Sequence, residues 1–398
     1  MKRTHNKKPG INAVSLFANV GIAETYFHEV GVDVVVANEI ESERAKFYNH
    51  LYSETDMIIG DITDTFVQDE IVYKSQKNNV ELLIATPPCQ GMSTAGKKEE
   101  FDPRNSLISY AVEIIKRIKP KFVLLENVTE QLLTRIKIDD NLLLIPDYLH
   151  NQLDQDYYFA DEVVIDASDY GVPQSRQRAI FLLTRKDVGF IWQMPAKCSS
   201  KVTMRDAIGD LPILDPFIKD IEYSDMLKIF PEYEERKAEA LKISKWHYPP
   251  AHVYRQVYSL MHTPTGQTAF NNAEEFRPKK ENGDFVKGFK NTYKRQEWDK
   301  PACTITMYNR TIGSQNNVHP GRFIGKDENG NDLYSDARVL TVFEIMKIMS
   351  LPTDWDIPDW ASESFVRSVI GEGIPPLLTK KIIEVLQNEQ VKRSFTVC

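Results

Sequence analysis

Cysteine is scarce in this chain: Cys89, Cys198, Cys303 and Cys398 are the four it has, far apart and without a Cys-x-x-Cys pair. That spacing argues against a structural zinc site or a disulfide framework. Long apolar runs are lacking too. No stretch approaches a membrane span, and the basic, polar Met1–Gly10 segment is not followed by an apolar stretch of signal length. A reducing, cytoplasmic location with no membrane partner is the expectation. Nor is positive charge in excess, since the net charge is −8, which argues against a protein coated all over with bases. Nucleic acid stays open as a partner, because affinity follows the local field facing the phosphates rather than the total.

What is present is the make-up of an ordinary globular protein. The 398 residues are 42% hydrophobic and 27% charged, enough for one large domain and a smaller one. Two stretches are locally basic: Arg176 to Arg178 with Arg185 and Lys186, and Lys287-Gly288-Phe289-Lys290-Asn291-Thr292-Tyr293-Lys294-Arg295. In the second, bases alternate with aromatics, which suits phosphate contacts plus stacking or equally a solvated surface loop.

The centre of the pattern is Thr86-Pro87-Pro88-Cys89-Gln90, which follows the short apolar run Leu82-Leu83-Ile84-Ala85. The run reads as a buried strand that the prolines end, leaving Cys89 at a carboxyl edge, where open α/β sheets bind ligands. Cys89 is either a small buried residue or a nucleophile. Other apolar strands end in the same way. Ala13 to Phe17 leads into the turn Ala18-Asn19-Val20-Gly21-Ile22 and a helical stretch Ala23 to Val30; Val32 to Asn38 ends in Glu39; Met57 to Ile59 is followed by Asp61; Phe122 to Leu125 ends in Glu126-Asn127-Val128. Alternating strands and helices imply a mainly parallel sheet, so Glu39, Asp61, Cys89 and Glu126 should converge at one edge. Glu39 suits ribose hydroxyls or is a solvated acid at a helix start.

Further along, Gly91 to Leu107 is polar and carries Ser93, Lys97 and Arg104, a composition suited to closing over an anionic partner. A sixth strand near Phe159 to Ile165 precedes Gln174, Arg176 and Arg178, whose alternation puts them on one face, either toward a ligand or in a structural ion-pair set. A seventh strand covers Ala179 to Leu183. From about Lys197 the βα rhythm stops, and Lys201 to Asn331 is irregular except for a helical segment over Tyr233 to Lys245. Regular structure returns with a capping box, Thr341 and Glu344, and a last helix over Leu377 to Leu386.

With these residues placed, the chain resembles the S-adenosylmethionine-dependent DNA (cytosine-5) methyltransferases. Pro88-Cys89-Gln90 matches the nucleophile motif and Glu126-Asn127-Val128 the partner-acid motif; Gln174-x-Arg176-x-Arg178, then Arg338-x-Leu340-Thr341 with Leu351-Pro352-x-Asp354-Trp355, follow in the family's order. The resemblance implies a Rossmann-like, mainly parallel sheet flanked by helices, the class I methyltransferase fold of α/β type, with a smaller loop-rich target-recognition domain. It implies a catalytic, cofactor-binding domain over 1–196 plus 336–398 and a DNA-binding domain over 197–335. Cys89 would add to position 6 of a flipped cytosine, Glu126 would act at N3, Arg178 would hold O2, and Arg176 would support Glu126 or the loop. Cofactor contacts would fall on Phe17, Gly21, Glu39, Asp61, Ile62, Pro88, Gly371, Glu372 and Ile374, although Phe17 also reads as a core aromatic. DNA contacts would fall on Gln90, Ser93, Lys97, Arg104 and Gln174. The implied partners are double-stranded DNA and a separately acting restriction endonuclease, with a monomeric enzyme and no metal. An RNA cytosine-5 methyltransferase, or a catalytically weak DNA-binding module of the same fold, are the competing readings. The chain departs from the family pattern in three places. Ser15-Leu16-Phe17-Ala18-Asn19-Val20-Gly21-Ile22 stands for Asp-Leu-Phe and three glycines, Glu372 stands in a Gly-Asn position, and Phe343 replaces an arginine.

Overall fold

A computed structural model describes residues 10–88, 103–138, 141–289 and 291–396. The chain divides into two compact units. The first holds residues up to 170, 177–197 and 376–398; the second holds 171–176 and 198–375.

The first unit is built on one sheet. Five parallel strands, β1 (Ile11–Leu16), β2 (Val32–Glu39), β3 (Asp56–Ile59), β4 (Leu82–Ala85) and β5 (Phe122–Asn127), come from the apolar runs of the sequence. Every residue of β4 and β5 is buried, the pattern of strands covered on both faces. Between them run α1 (Ser42–Leu51), α2 (Thr65–Lys77) and α3 (Leu107–Ile118). The Asp64 carboxylate caps α2 by accepting the Phe66 N–H. α3 buries Ile108, Ala111, Val112 and Ile115, which share one helical face.

Past β5 come a hairpin, β6 (Arg135–Ile138) and β7 (Asn141–Leu144), then α4 (Ile145–Leu153), β8 (Tyr157–Phe159), β9 (Val164–Asp166) and β10 (Gln177–Arg185). The large sheet runs β3-β2-β1-β4-β5-β10-β8, with β10 antiparallel to β5 and with β9 also on β10. The expected strand over Phe159 to Ile165 is thus two short strands. Both pair with β10, and residues 160–163 bulge out between them. The helix Pro376–Thr396 packs Leu378, Ile382, Ile383 and Leu386 into this unit, and the buried Trp192 indole donates to the Ile382 carbonyl at 3.0 Å.

The expected helix over Ala23 to Val30 is reduced to a 3-10 turn, Phe27–Val30, closed by Gly31 at φ 69°. The physical reason is Glu24, whose side chain turns inward to buried partners while the backbone around it makes successive tight turns.

The second unit has little sheet and much buried charge. Its helix Val342–Ile348 starts at the capping box that Thr341 and Glu344 form. Glu344 also takes a two-pronged bond from Arg338, both contacts at 2.8 Å, while Arg338 reaches Asp336 at 2.8 Å. Arg295, fully buried, donates to the carbonyls of Leu260, His319, Ser335 and Asp336. Residues 198–375 lie in this unit and 376–398 in the first. Among the described residues no helix is long and apolar enough to cross a membrane.

Candidate active site

Parallel pairing carries the carboxyl tips of β1 to β5 to one edge of the first unit's sheet. Strand order reverses between β1 and β4, since β2 and β3 lie on one side and β5 on the other. Such a reversal leaves a crevice between two strand tips, the usual ligand position in open α/β sheets. Phe17 follows β1 and Pro88 lies just past β4, so both are at this point.

The tips are stitched together. The Thr86 hydroxyl donates to the Phe17 carbonyl at 3.2 Å, and the Asn127 amide donates to the Pro87 carbonyl at 3.1 Å. The second bond holds the segment that leads into Cys89 against the end of β5. Cys89, Gln90, Ser93 and Lys97 lie outside the described residues; Arg104 falls in the 3-10 turn Pro103–Ser106, and its side chain is outside the description.

Glu126 is the second-last residue of β5, and Ile180 of β10 pairs with it directly. Arg178, two residues along β10, is its diagonal neighbour on the same face. The Arg178 Nε meets Glu126 Oε1 at 2.8 Å, with both side chains largely shielded from water. A shielded carboxylate beside a guanidinium is held in one orientation, which a proton-handling group at a base requires.

Glu39 ends β2 and is buried. One carboxylate oxygen accepts the Asn19 N–H at 2.8 Å and the other the Glu41 N–H at 2.9 Å. Each oxygen keeps a further lone pair for a hydroxyl. Backbone at Phe17, Asn19 and Gly21 is left-handed, with φ of 58°, 50° and 78°, so the turn after β1 is held in a conformation that costs its two non-glycine residues. An acid at the β2 tip, a constrained turn after β1 and a reversal point between β1 and β4 fit a ribose-containing cofactor. Asp61 is exposed and its carboxylate accepts the Thr63 N–H, whereas Ile62 is packed in the core.

Other expected residues are placed differently. Gln174 is fully buried; its amide nitrogen donates to Met349 Sδ and its amide oxygen accepts from the Ile305 N–H. Arg176 is buried in the second unit and donates to the carbonyls of Ile305 and Gly371 at 2.8 and 2.9 Å, with a longer contact to that of Glu372. Arg178 is thus the arginine paired with Glu126, and Arg176 ties the backbone at residues 305 and 371. The reason is local: Ser175 and Ala302 exchange backbone hydrogen bonds with the neighbouring segments, which turns Gln174 and Arg176 together onto residues 302–305. Gly371 is required by packing, because a Cβ there would sit 2.3 Å from the Thr306 carbonyl oxygen. Glu372 is half-buried and Ile374 buried, both in the second unit. Three residues that the sequence reading left out stand under the β1 turn: Glu24, Tyr48 and Tyr52. A visible signal was the Tyr48/Tyr52 pair at helical i, i+4 spacing.

Comparison with known proteins agrees with this geometry. Residues 11–388 match the family model for C-5 cytosine-specific DNA methylases. The chain is 41% identical to the Type II methyltransferase M1.HgaI of Avibacterium volantium, an alignment that covers 96% of this chain and 99% of that one. It is 26% identical to the Type II methyltransferase M.DdeI of Desulfomicrobium norvegicum over 94% and 88% of the two chains. Among solved structures it shares its fold with DNMT2 of Spodoptera frugiperda, with a TM-score of 0.58, 16% identity and coverage of 95% and 99%. The Dnmt2 methyltransferase of S. pombe gives 0.54, 13%, 96% and 99%. With a family model matched from β1 to the last helix and an acid and arginine paired at the sheet edge, the chain belongs to the C-5 cytosine-specific DNA methylases.

Proposed function

We propose that this enzyme is a Type II methyltransferase that modifies cytosine within a specific DNA sequence, through a covalent adduct on Cys89, and so protects DNA from a separately acting restriction endonuclease. The observation that carries the chemistry is the Glu126–Arg178 pair at the end of β5, beside the segment that leads to Cys89.

Position 5 of cytosine is a poor nucleophile until something adds at position 6. A thiolate suits that addition, being both a strong nucleophile and a competent leaving group. Cys89 forms the bond to C6, and Glu126 holds a proton at N3 so that the negative charge does not build up on the ring. Arg178 fixes Glu126, and its guanidinium suits O2, which neighbours N3 on the base. S-adenosylmethionine, held at Phe17, Gly21, Glu39, Asp61, Ile62 and Pro88, supplies an electrophilic methyl group. Loss of the C5 proton then returns an electron pair to the ring and expels Cys89. A stacked duplex hides these atoms, so the base is flipped out of the helix first.

The second unit is the DNA-reading part in this scheme. Phe289 and Tyr308 are exposed there at 76% and 68%, next to exposed Lys287 and Arg310, a combination suited to bases and phosphates. The enzyme works where the DNA is, in the cytoplasm, as a monomer.

The test is to incubate the protein and S-adenosylmethionine with mixed-sequence duplex DNA that contains 5-fluorocytosine. Fluorine blocks the last elimination, so a denaturation-stable protein–DNA adduct is expected, absent with Cys89→Ser. An adduct that persists in that variant overturns the nucleophile, and cofactor binding without any adduct on DNA moves the substrate to RNA.

A further inference from the structure

The turn that follows β1 lacks two glycines of its family pattern, and the structure shows what holds it instead. Gly21 is gripped on all sides. Its N–H donates to the Ala18 carbonyl, its own carbonyl accepts the Tyr52 hydroxyl at 2.6 Å and the Glu24 N–H at 3.3 Å, and a Cβ on it would sit 2.3 Å from the Tyr52 ring and 2.9 Å from the Tyr48 ring. The two rings, one from α1 and one from the residue that caps its C-terminus, lie 4.8 Å apart. Behind them the Tyr48 hydroxyl donates to Glu24 Oε2 at 2.5 Å. Glu24, Tyr48 and Ser15 are all buried.

We propose that Glu24, Tyr48 and Tyr52 form a clamp that positions the Phe17–Gly21 turn for the cofactor. This rests on the reading that the turn carries S-adenosylmethionine. Tyr52 fixes the turn's last carbonyl, the two rings fix its Cα, and Glu24 fixes Tyr48 in turn. None of the three needs to touch the cofactor, so they are positioning residues.

The electrical surroundings single out Glu24. Ser15 from β1 and Tyr48 from α1 face it, with Tyr52 beside them and the hydroxyls of Thr55 and Thr25 near the two tyrosines. All are hydroxyl groups. Burial pushes the Glu24 carboxyl up to about 7 against the opposing pull of Ser15 and Tyr48, and burial likewise pushes both tyrosines above their ordinary range, so they stay neutral. Near neutral pH the clamp therefore has one member that changes charge. An ionised Glu24, with no cation facing it among the described residues, draws water into the buried site and disturbs the packing of the Tyr48 ring on Gly21. The sign follows: cofactor affinity is highest below pH 7 and falls as Glu24 ionises.

The test is calorimetric titration of the full chain with S-adenosylmethionine at pH 6, 7 and 8, for the wild type, Glu24→Gln, Glu24→Ala and Tyr52→Phe, together with kcat on DNA at saturating cofactor. Glutamine keeps a donor and an acceptor without a charge. The expected result is a wild-type Kd that rises by up to about tenfold relative to Glu24→Gln between pH 6 and 8, one decade per pH unit above the carboxyl's midpoint. The cofactor's own amine titrates alike in both proteins and cancels in the ratio. Glu24→Ala and Tyr52→Phe should bind more weakly at every pH with kcat at saturation within about twofold, because a positioning loss of this kind shows in Kd. A Glu24→Gln profile that superimposes on the wild type, or a Glu24→Ala that binds like Glu24→Gln, overturns the clamp while leaving the cofactor reading intact. A wild type that binds no cofactor at any pH overturns that reading and the clamp with it.

Discussion

Each unit of the molecule buries carboxyl groups completely, and each does so in the opposite charge state. In the first unit Glu24 has hydroxyl partners, and burial drives it toward the neutral acid. In the second unit burial also works against the charges of Glu344 and Asp336, yet the Arg338 guanidinium, bonded to both, more than offsets it, and both carboxyls end below their ordinary range. Depth is the same; a guanidinium makes the difference. His319 belongs to the same set. Its Nδ1 accepts the Gly321 N–H at 3.0 Å, and burial lowers its pKa to about 4, so it sits neutral between Asp336 and Glu344. Buried ionic sets cost desolvation that their mutual attraction repays only when geometry is good, whereas a lone neutral acid avoids that cost by keeping its proton.

The comparison is broken most severely by removing the guanidinium. Arg338→Met should destabilise the protein by about 3–5 kcal/mol, because two buried carboxylates lose their cation; chemical denaturation at neutral pH measures it. A loss under about 1 kcal/mol would mean that the two carboxyls are neutral, as in the first unit.

Next comes the pH dependence of stability. The Glu24 pKa rises on folding, so its contribution is present in full below 4.5 and is lost as pH climbs to about 7, an effect of about 3 kcal/mol. His319, lowered on folding, has the opposite sign: its contribution is present above 6.5 and disappears as pH falls through about 4. Calorimetric melting from pH 4 to 8 should therefore show Glu24→Gln gaining on the wild type as pH rises, with acid sensitivity unchanged.

Arg178→Met sharpens the contrast at the sheet edge, where Glu126 and Arg178 form a pair less buried than Arg338 and Glu344. It should lower kcat by about 10- to 100-fold while costing about 1–3 kcal/mol of stability, less than Arg338→Met, since the shielded Glu126 loses one cation at a pair that keeps some contact with water. Smallest is Tyr52→Phe, which removes one hydrogen bond at the turn and should cost about 1 kcal/mol in denaturant stability.

The sheet was legible because apolar runs repeat with helical spacers, and the acids at strand tips are local facts of the chain. The Thr341 and Glu344 capping box is equally local, a matter of three residues. Arginines were the opaque part. Arg176, Arg178 and Arg295 look alike in sequence, yet one is a tie to backbone carbonyls, one holds a candidate catalytic acid, and one fills a buried carbonyl cage. Their partners lie far along the chain, at Ile305, Glu126 and His319, and no short-range pattern reports a partner so distant. Glu24 escaped notice for the same reason, since Tyr48 is 24 residues away and polar residues in a turn ordinarily face water.

Gly21 and Tyr52 also bear on how this enzyme can change over generations. Any side chain at position 21 meets the Tyr52 ring and a backbone angle that suits glycine, so single substitutions there are closed routes. A smaller residue at 52 opens the space but releases the carbonyl that Tyr52 holds. The two positions are therefore bound to vary as a pair, and descendants that lose one should be found to have rebuilt the other.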